Sequence, residues 1–140
     1  MNEAKTLAIR GNLVDIINRR TFGAEISIQN GRIKKIIPTG QDEASYLLPG
    51  FIDAHVHIES SMVTPAAFIH AAVRHGSIGA VADPHEIANV MGSEGVEYML
   101  DNAKGIPFYT WIGVPSCVPA TTMETSGAII DADETARLLE

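Results

Sequence analysis

The sequence contains a single cysteine, Cys117, in 140 residues. That excludes an internal disulfide framework and any Cys-x-x-Cys metal knuckle, and it suits a reducing compartment. Long hydrophobic runs are missing too. No stretch reaches the roughly 18 apolar residues that a spanning helix needs. Lys5, Arg10, Asp15, Arg19 and Arg20 interrupt the amino-terminal segment before it gains signal-peptide character. The expectation is a cytoplasmic protein with no membrane association. Clustered positive charge is also lacking: ten lysines and arginines lie scattered among 17 acidic residues, for a net charge of −7. Such a chain has no electrostatic footprint for a nucleic-acid backbone. Internal repeats and low-complexity tracts are absent, and a small molecule is the expected partner.

What is present is a composition able to bury a core, 46% hydrophobic and 19% charged, and two successive rhythms. Residues 1–49 show short β-like runs at 7–10, 13–17, 24–29 and 32–37, punctuated by Gly11, Gly23 and Asn30-Gly31. Asn-Gly between alternating isoleucines is a hairpin signal, because both residues tolerate positive φ. This predicts a small antiparallel β domain.

From residue 50 onward apolar runs alternate with helical patterns, the sign of βαβ units on a parallel sheet. Strands are expected at 51–57, 77–82 and 106–114. Thr64-Pro65 opens a helix that Gly76 ends. Ser93 is read as the cap of a second helix, with Val96, Met99, Leu100 and Ala103 on one stripe and Gly105 as its stop. Asp131 and Glu134 have capping-box spacing for a third. The fold class is therefore α/β: about three strand–helix units, where a closed eight-stranded barrel takes roughly 250 residues. A barrel begun within residues 50–140 would be incomplete.

The chemistry gathers around the first strand of this region. Strand side chains alternate faces, so Asp53, His55 and His57 share one and Ile52, Ala54 and Val56 the other. Two imidazoles two residues apart on a strand can grip one metal ion. Two histidines satisfied by hydrogen bonds at a strand end are the bland alternative. Asp83, His85 and Glu86 follow the second strand, where a histidine between carboxylates can bind metal, carry a proton or hold a substrate ring; a loop network is the alternative. Glu59, Ser60 and Ser61 follow the histidine strand and can orient substrate or stay solvated. Residues 124–128 form a turn-rich stretch, either near the substrate or a surface loop. Cys117 reads as a packed small side chain. His70 and His75, about 140° apart around a helix, share no ion and belong to the outer surface.

Leu48-Pro-Gly-Phe-Ile-Asp-Ala-His-Val-His57 resembles the first barrel strand of the amidohydrolase superfamily. The continuation Ile58-Glu-Ser-Ser-Met-Val-Thr-Pro65, then Val81-Ala-Asp-Pro-His-Glu-Ile-Ala-Asn-Val90, Pro115-Ser-Cys-Val-Pro-Ala120 and Glu124-Thr-Ser-Gly-Ala128, is similar to the adenine deaminases within it. The resemblance implies His55 and His57 as ligands of the first metal of a binuclear centre holding divalent manganese or iron, or zinc. Following the first two strands at the active-site end of such a barrel, Asp83, His85 and Glu86 are candidates for the catalytic side and Glu59, Ser60 and Ser61 for substrate, with the alternatives above left open. The resemblance implies hydrolysis of adenine to hypoxanthine and ammonia in purine salvage, no organic cofactor, and a homo-oligomer when the enzyme is complete. It also makes residues 1–49 part of a β-sandwich and residues 50–140 the start of the hydrolase barrel. His57-Ile58-Glu59 mimics half of the cytidine-deaminase zinc signature, but the Pro-Cys-x-x-Cys half cannot be met with one cysteine. A bridging carboxylate and further ligands belong to later strands, so this piece alone is expected to be inactive. The alternatives are an amidohydrolase acting on another cyclic amide and a non-catalytic metal-binding remnant.

Overall fold

A computed structural model describes residues 6–40 and 43–140; residues 1–5 and 41–42 of the β region lie outside the described residues. Two compact units meet in sequence at Pro49 and Gly50.

The first unit is a four-stranded sheet of β1 (Thr6–Asp15), β2 (Arg20–Gln29), β3 (Arg32–Pro38) and β4 (Tyr46–Leu47), in the order β3-β2-β1-β4. The β2–β3 hairpin closes at Asn30 and Gly31, whose φ of 53° and 73° are the pair of positive angles that a twist-matched two-residue turn demands. Two expectations are corrected. Runs 7–10 and 13–17 are largely one strand, because Gly11 does not break it: a Cβ there would come within 2.7 Å of the Leu47 side chain. Glycine at this position permits close approach of β4. The sheet is also not purely antiparallel, since β4 pairs with β1 in parallel, Asn12 opposite Tyr46. Ala24 and Ile26 are buried, while Leu13, Phe22, Ile28, Ile33 and Ile36 line an open apolar hollow of about 800 Å³.

The second unit holds a parallel sheet of β5 (Phe51–Val56), β6 (Ser77–Ala82) and β7 (Tyr109–Ile112), in that order. Between and after the strands come α1 (Pro65–Ala72), α2 (His85–Met91), α3 (Ser93–Ala103) and α4 (Ala132–Leu138). Thr64 Oγ1 accepts from Ala67 N at the start of α1, and Gly76 (φ 87°) ends the 3₁₀ turn that follows it. Val56, Ala82 and Ile112, at matching positions of the three strands, pack with Ile58, Phe68, Ile87 and Met99 in one cluster. Removing side chains of this size from water contributes about 1.5–3 kcal/mol each. The sheet is thus covered by helices on that face.

Helix α2 was not expected. It is a short segment entered through Pro84, and its apolar residues Ile87, Ala88, Val90 and Met91, though helically spaced, span only about two turns. Ser93 is the first residue of α3 rather than its cap, which is Gly92. Of the predicted stripe, Val96, Met99 and Ala103 are buried and Leu100 is 43% exposed. Strand β7 is shorter than the apolar run 106–114. Asp131 caps α4 by accepting from Glu134 N, but the Glu134 carboxylate bonds Arg137 instead of completing the reciprocal box. Among the described residues, no helix is long and apolar enough to cross a membrane.

Candidate metal centre

His55 lies near the carboxyl end of β5 and His57 just past it, where the pairing with β6 slips by one residue between Asp53 and Val56; Asp53, expected on the same face as the histidines, stands opposite Ala80 before the slip and is not among the clustered ligand groups. Asp53 Oδ1 accepts from His55 N at 3.1 Å, tying the first acidic side chain to the strand itself. The two imidazoles meet edge to face with ring centroids 5.0 Å apart, and their Nε2 atoms face each other at 3.1 Å. Asp83 N donates to Val56 O, so the end of β6 brings the Asp83 carboxylate beside them. One ligand atom from each of His55, His57 and Asp83 lies within 4.8 Å of the others. Asp83 Oδ1 is buried with no hydrogen-bond partner. A buried carboxylate oxygen left unpaired is costly. Two ring nitrogens and one carboxylate oxygen gathered this closely form a donor set suited to a divalent cation.

Around this trio the remaining predicted residues divide. His57 Nδ1 lies 2.9 Å from Glu86 Oε2, and Ser60 donates to Glu86 Oε1 at 2.7 Å. The Glu86 contact raises the His57 pKa above its ordinary 6.5, against desolvation, and the charges of Asp83 and Glu59 add to the rise. Burial pushes the Glu86 carboxyl up, but the hydrogen bonds from Ser60 and His57 outweigh it and hold the group below its ordinary value. Glu59 Oε1 accepts from Ile87 N, while its Oε2 is buried and unpartnered. The Ser61 hydroxyl is spent on Ile58 O within the 3₁₀ turn. His85 Nδ1 lies 3.9 Å from Cys117 Sγ.

Cys117 is exposed rather than packed, a correction that follows from β7 ending at Ile112 and leaving residue 117 in the loop beyond. Residues 124–128 are tied down rather than free: Ser126 Oγ and Gly127 N both donate to Asn89 O on α2, and Asn89 Nδ2 in turn donates to His85 O. Val118 and Ile130 bridge below them and pack on Ala88 and Val96. Sequence reasoning missed this clasp because its partners are 37 residues apart. His70 and His75 are exposed, away from the trio.

The sequence pattern of the Amidohydrolase family matches residues 46–139. The chain is 94% identical over all 140 residues to a protein called adenine deaminase from Parabacteroides distasonis, of which it covers 26%. It is 52% identical over 129 residues to one of the same name from Methanosarcina mazei, with 92% of the chain and 23% of that relative covered. To one from Salinibacter ruber it is 51% identical over 135 residues, with 96% and 25% covered. The chain thus spans about a quarter of the length of these curated relatives.

Proposed function

Given that the chain belongs to the amidohydrolase family, we propose that it is the amino-terminal segment of an adenine deaminase and contributes the first part of a divalent metal centre. The convergence of His55, His57 and Asp83 carries this reading. On it, residues 50–140 open a (β/α) barrel and residues 1–49 belong to a β-sandwich. The whole works as a cytoplasmic homo-oligomer with manganese or iron at the centre.

A divalent ion held by His55, His57 and Asp83 supplies Lewis acidity that brings the pKa of water toward neutrality. In the overall reaction a water oxygen bonds to C6 of adenine and the C6–N bond breaks. Ammonia leaves with protons drawn from that water, and hypoxanthine keeps the oxygen. His85 is suited to moving those protons, since an imidazole accepts at one nitrogen while donating from the other. Glu59 Oε2, a buried side-chain oxygen with no hydrogen-bond partner among the described residues, is the acceptor of the 59–61 trio left to meet the substrate amidine. The acidic character of the chain suits a neutral base as substrate.

Ammonia release tests the reading. A polypeptide of the relatives' length that carries this segment, loaded with manganese or iron, should convert adenine to hypoxanthine. His57→Ala should lower turnover on the order of a thousandfold, the equivalent of several kcal/mol of lost charge stabilisation. The 140-residue chain alone should release none. A longer protein that leaves adenine intact and opens a cyclic amide instead would overturn the substrate assignment.

A further inference from the structure

The structure singles out one contact that metal ligation by itself does not call for. Glu86, on the first turn of α2, reaches across to His57, and its two oxygens are divided: Oε2 faces His57 Nδ1 at 2.9 Å and Oε1 accepts from Ser60 Oγ at 2.7 Å. Ser60 lies in the 3₁₀ turn that follows His57, and its backbone N–H donates to His57 O at 3.2 Å. The three residues close a ring that joins the end of β5 to the start of α2. A carboxylate only accepts hydrogen bonds, so His57 must present its proton at Nδ1. Its Nε2 lone pair then points at His55 Nε2, 3.1 Å away.

We infer that Glu86, anchored by Ser60, is a positioning residue that fixes His57 as the Nδ1–H tautomer and aims its Nε2 lone pair at the metal position. This rests on the metal reading above and gives Glu86 a task other than proton transfer to substrate. Outer carboxylates of this kind set the tautomer and basicity of ligand histidines, and their loss commonly weakens metal affinity about 10- to 100-fold. Ser60 acts one bond further out, and its loss should cost less than that of Glu86.

The test has two independent readouts on a polypeptide of the relatives' length that carries this segment. The first is the ¹⁵N shifts of the His57 ring, which identify the protonated nitrogen without any metal. Wild type should show Nδ1–H, Ser60→Ala a partial loss of that preference, and Glu86→Ala a shift toward the other tautomer, with Glu86→Gln partly restoring Nδ1–H because its amide oxygen still accepts. An unchanged His57 tautomer in Glu86→Ala overturns the inference. The second readout is cobalt(II) titration followed by its visible spectrum. Wild type should bind, His55→Ala should abolish binding, and Glu86→Ala should weaken it about 10- to 100-fold. Equal affinity of Glu86→Ala and wild type, with His55→Ala inactive in binding, also overturns it. If wild type takes up no cobalt the metal reading fails, while the tautomer measurement still decides the role of Glu86.

Discussion

The two sheets of this chain treat their apolar faces differently. In the parallel sheet, Val56, Ala82 and Ile112 are covered by α1, α2 and α3 of the same unit, and Met99 is 3% exposed. In the mixed sheet, the face bearing Leu13, Phe22, Ile33 and Ile36 opens on a hollow of about 800 Å³, and Ile33 is 62% exposed. Both sheets show apolar alternation, so the pattern tells which side of a strand is apolar and not what will cover it. The difference is one of sequence neighbourhood. Each parallel strand is followed by a helix that can fold back over it, whereas a hairpin is followed only by another strand.

Truncating a core residue in each unit should separate them most widely. Met99→Ala removes a side chain packed among Ile58 and Ala82 and should cost about 2–5 kcal/mol by chemical denaturation, read from probes in α1–α3. Ile36→Ala, at a position 44% exposed, should cost well under half as much. Equal losses would break the comparison. Gly95→Ala should come next. A Cβ there would lie 2.9 Å from the Ile87 carbonyl, forcing α3 off α2 at about 1–3 kcal/mol. The smallest effect is expected at the exposed end of the second unit. Hydrogen bonds from Arg137 and Ser93 lower the Glu134 pKa from 4.5 to about 2. A depressed acid stabilises the fold above its unfolded pKa, so this contribution is complete above about pH 4.5 and is lost as pH falls toward about 2. Hydrogen exchange of α4 should accelerate across that window in wild type and show a flatter profile in Glu134→Gln. An unchanged profile in the variant would remove Glu134 from the account.

Much of this was legible in local chemistry. The Asn30-Gly31 turn, the Thr64 cap and the closeness of His55 and His57 each follow from a rule spanning a few residues. So does the capping half of the Asp131–Glu134 pair. What escaped depends on partners distant in the chain. Gly11 reads as a break until Leu47 lies against it. Helix α2 is too short to declare itself, and it is held in part by Ser126 and Gly127 from a loop 37 residues on. Ser60 and Glu86 stand in the sequence as loop polar residues near the His55 and His57 pair; only the fold reveals that the Glu86 carboxylate is divided between Ser60 and His57.

The alternation at the end of β5 has a consequence for how such a sequence can change over generations. Val56 packs with the covering helices while His55 and His57 converge with Asp83, and the register with β6 already slips by one residue between Asp53 and Val56. Replacing a residue alters one position and leaves the rest where they are. Adding or deleting a single residue between Gly50 and His55 would exchange the two sets, burying imidazoles against Phe68 and Met99 and turning valine toward the ion. Apart from His55 and His57, residues 50–57 are therefore freer to change in composition than in length, and a family built on this strand should show substitutions at those other positions and no gaps.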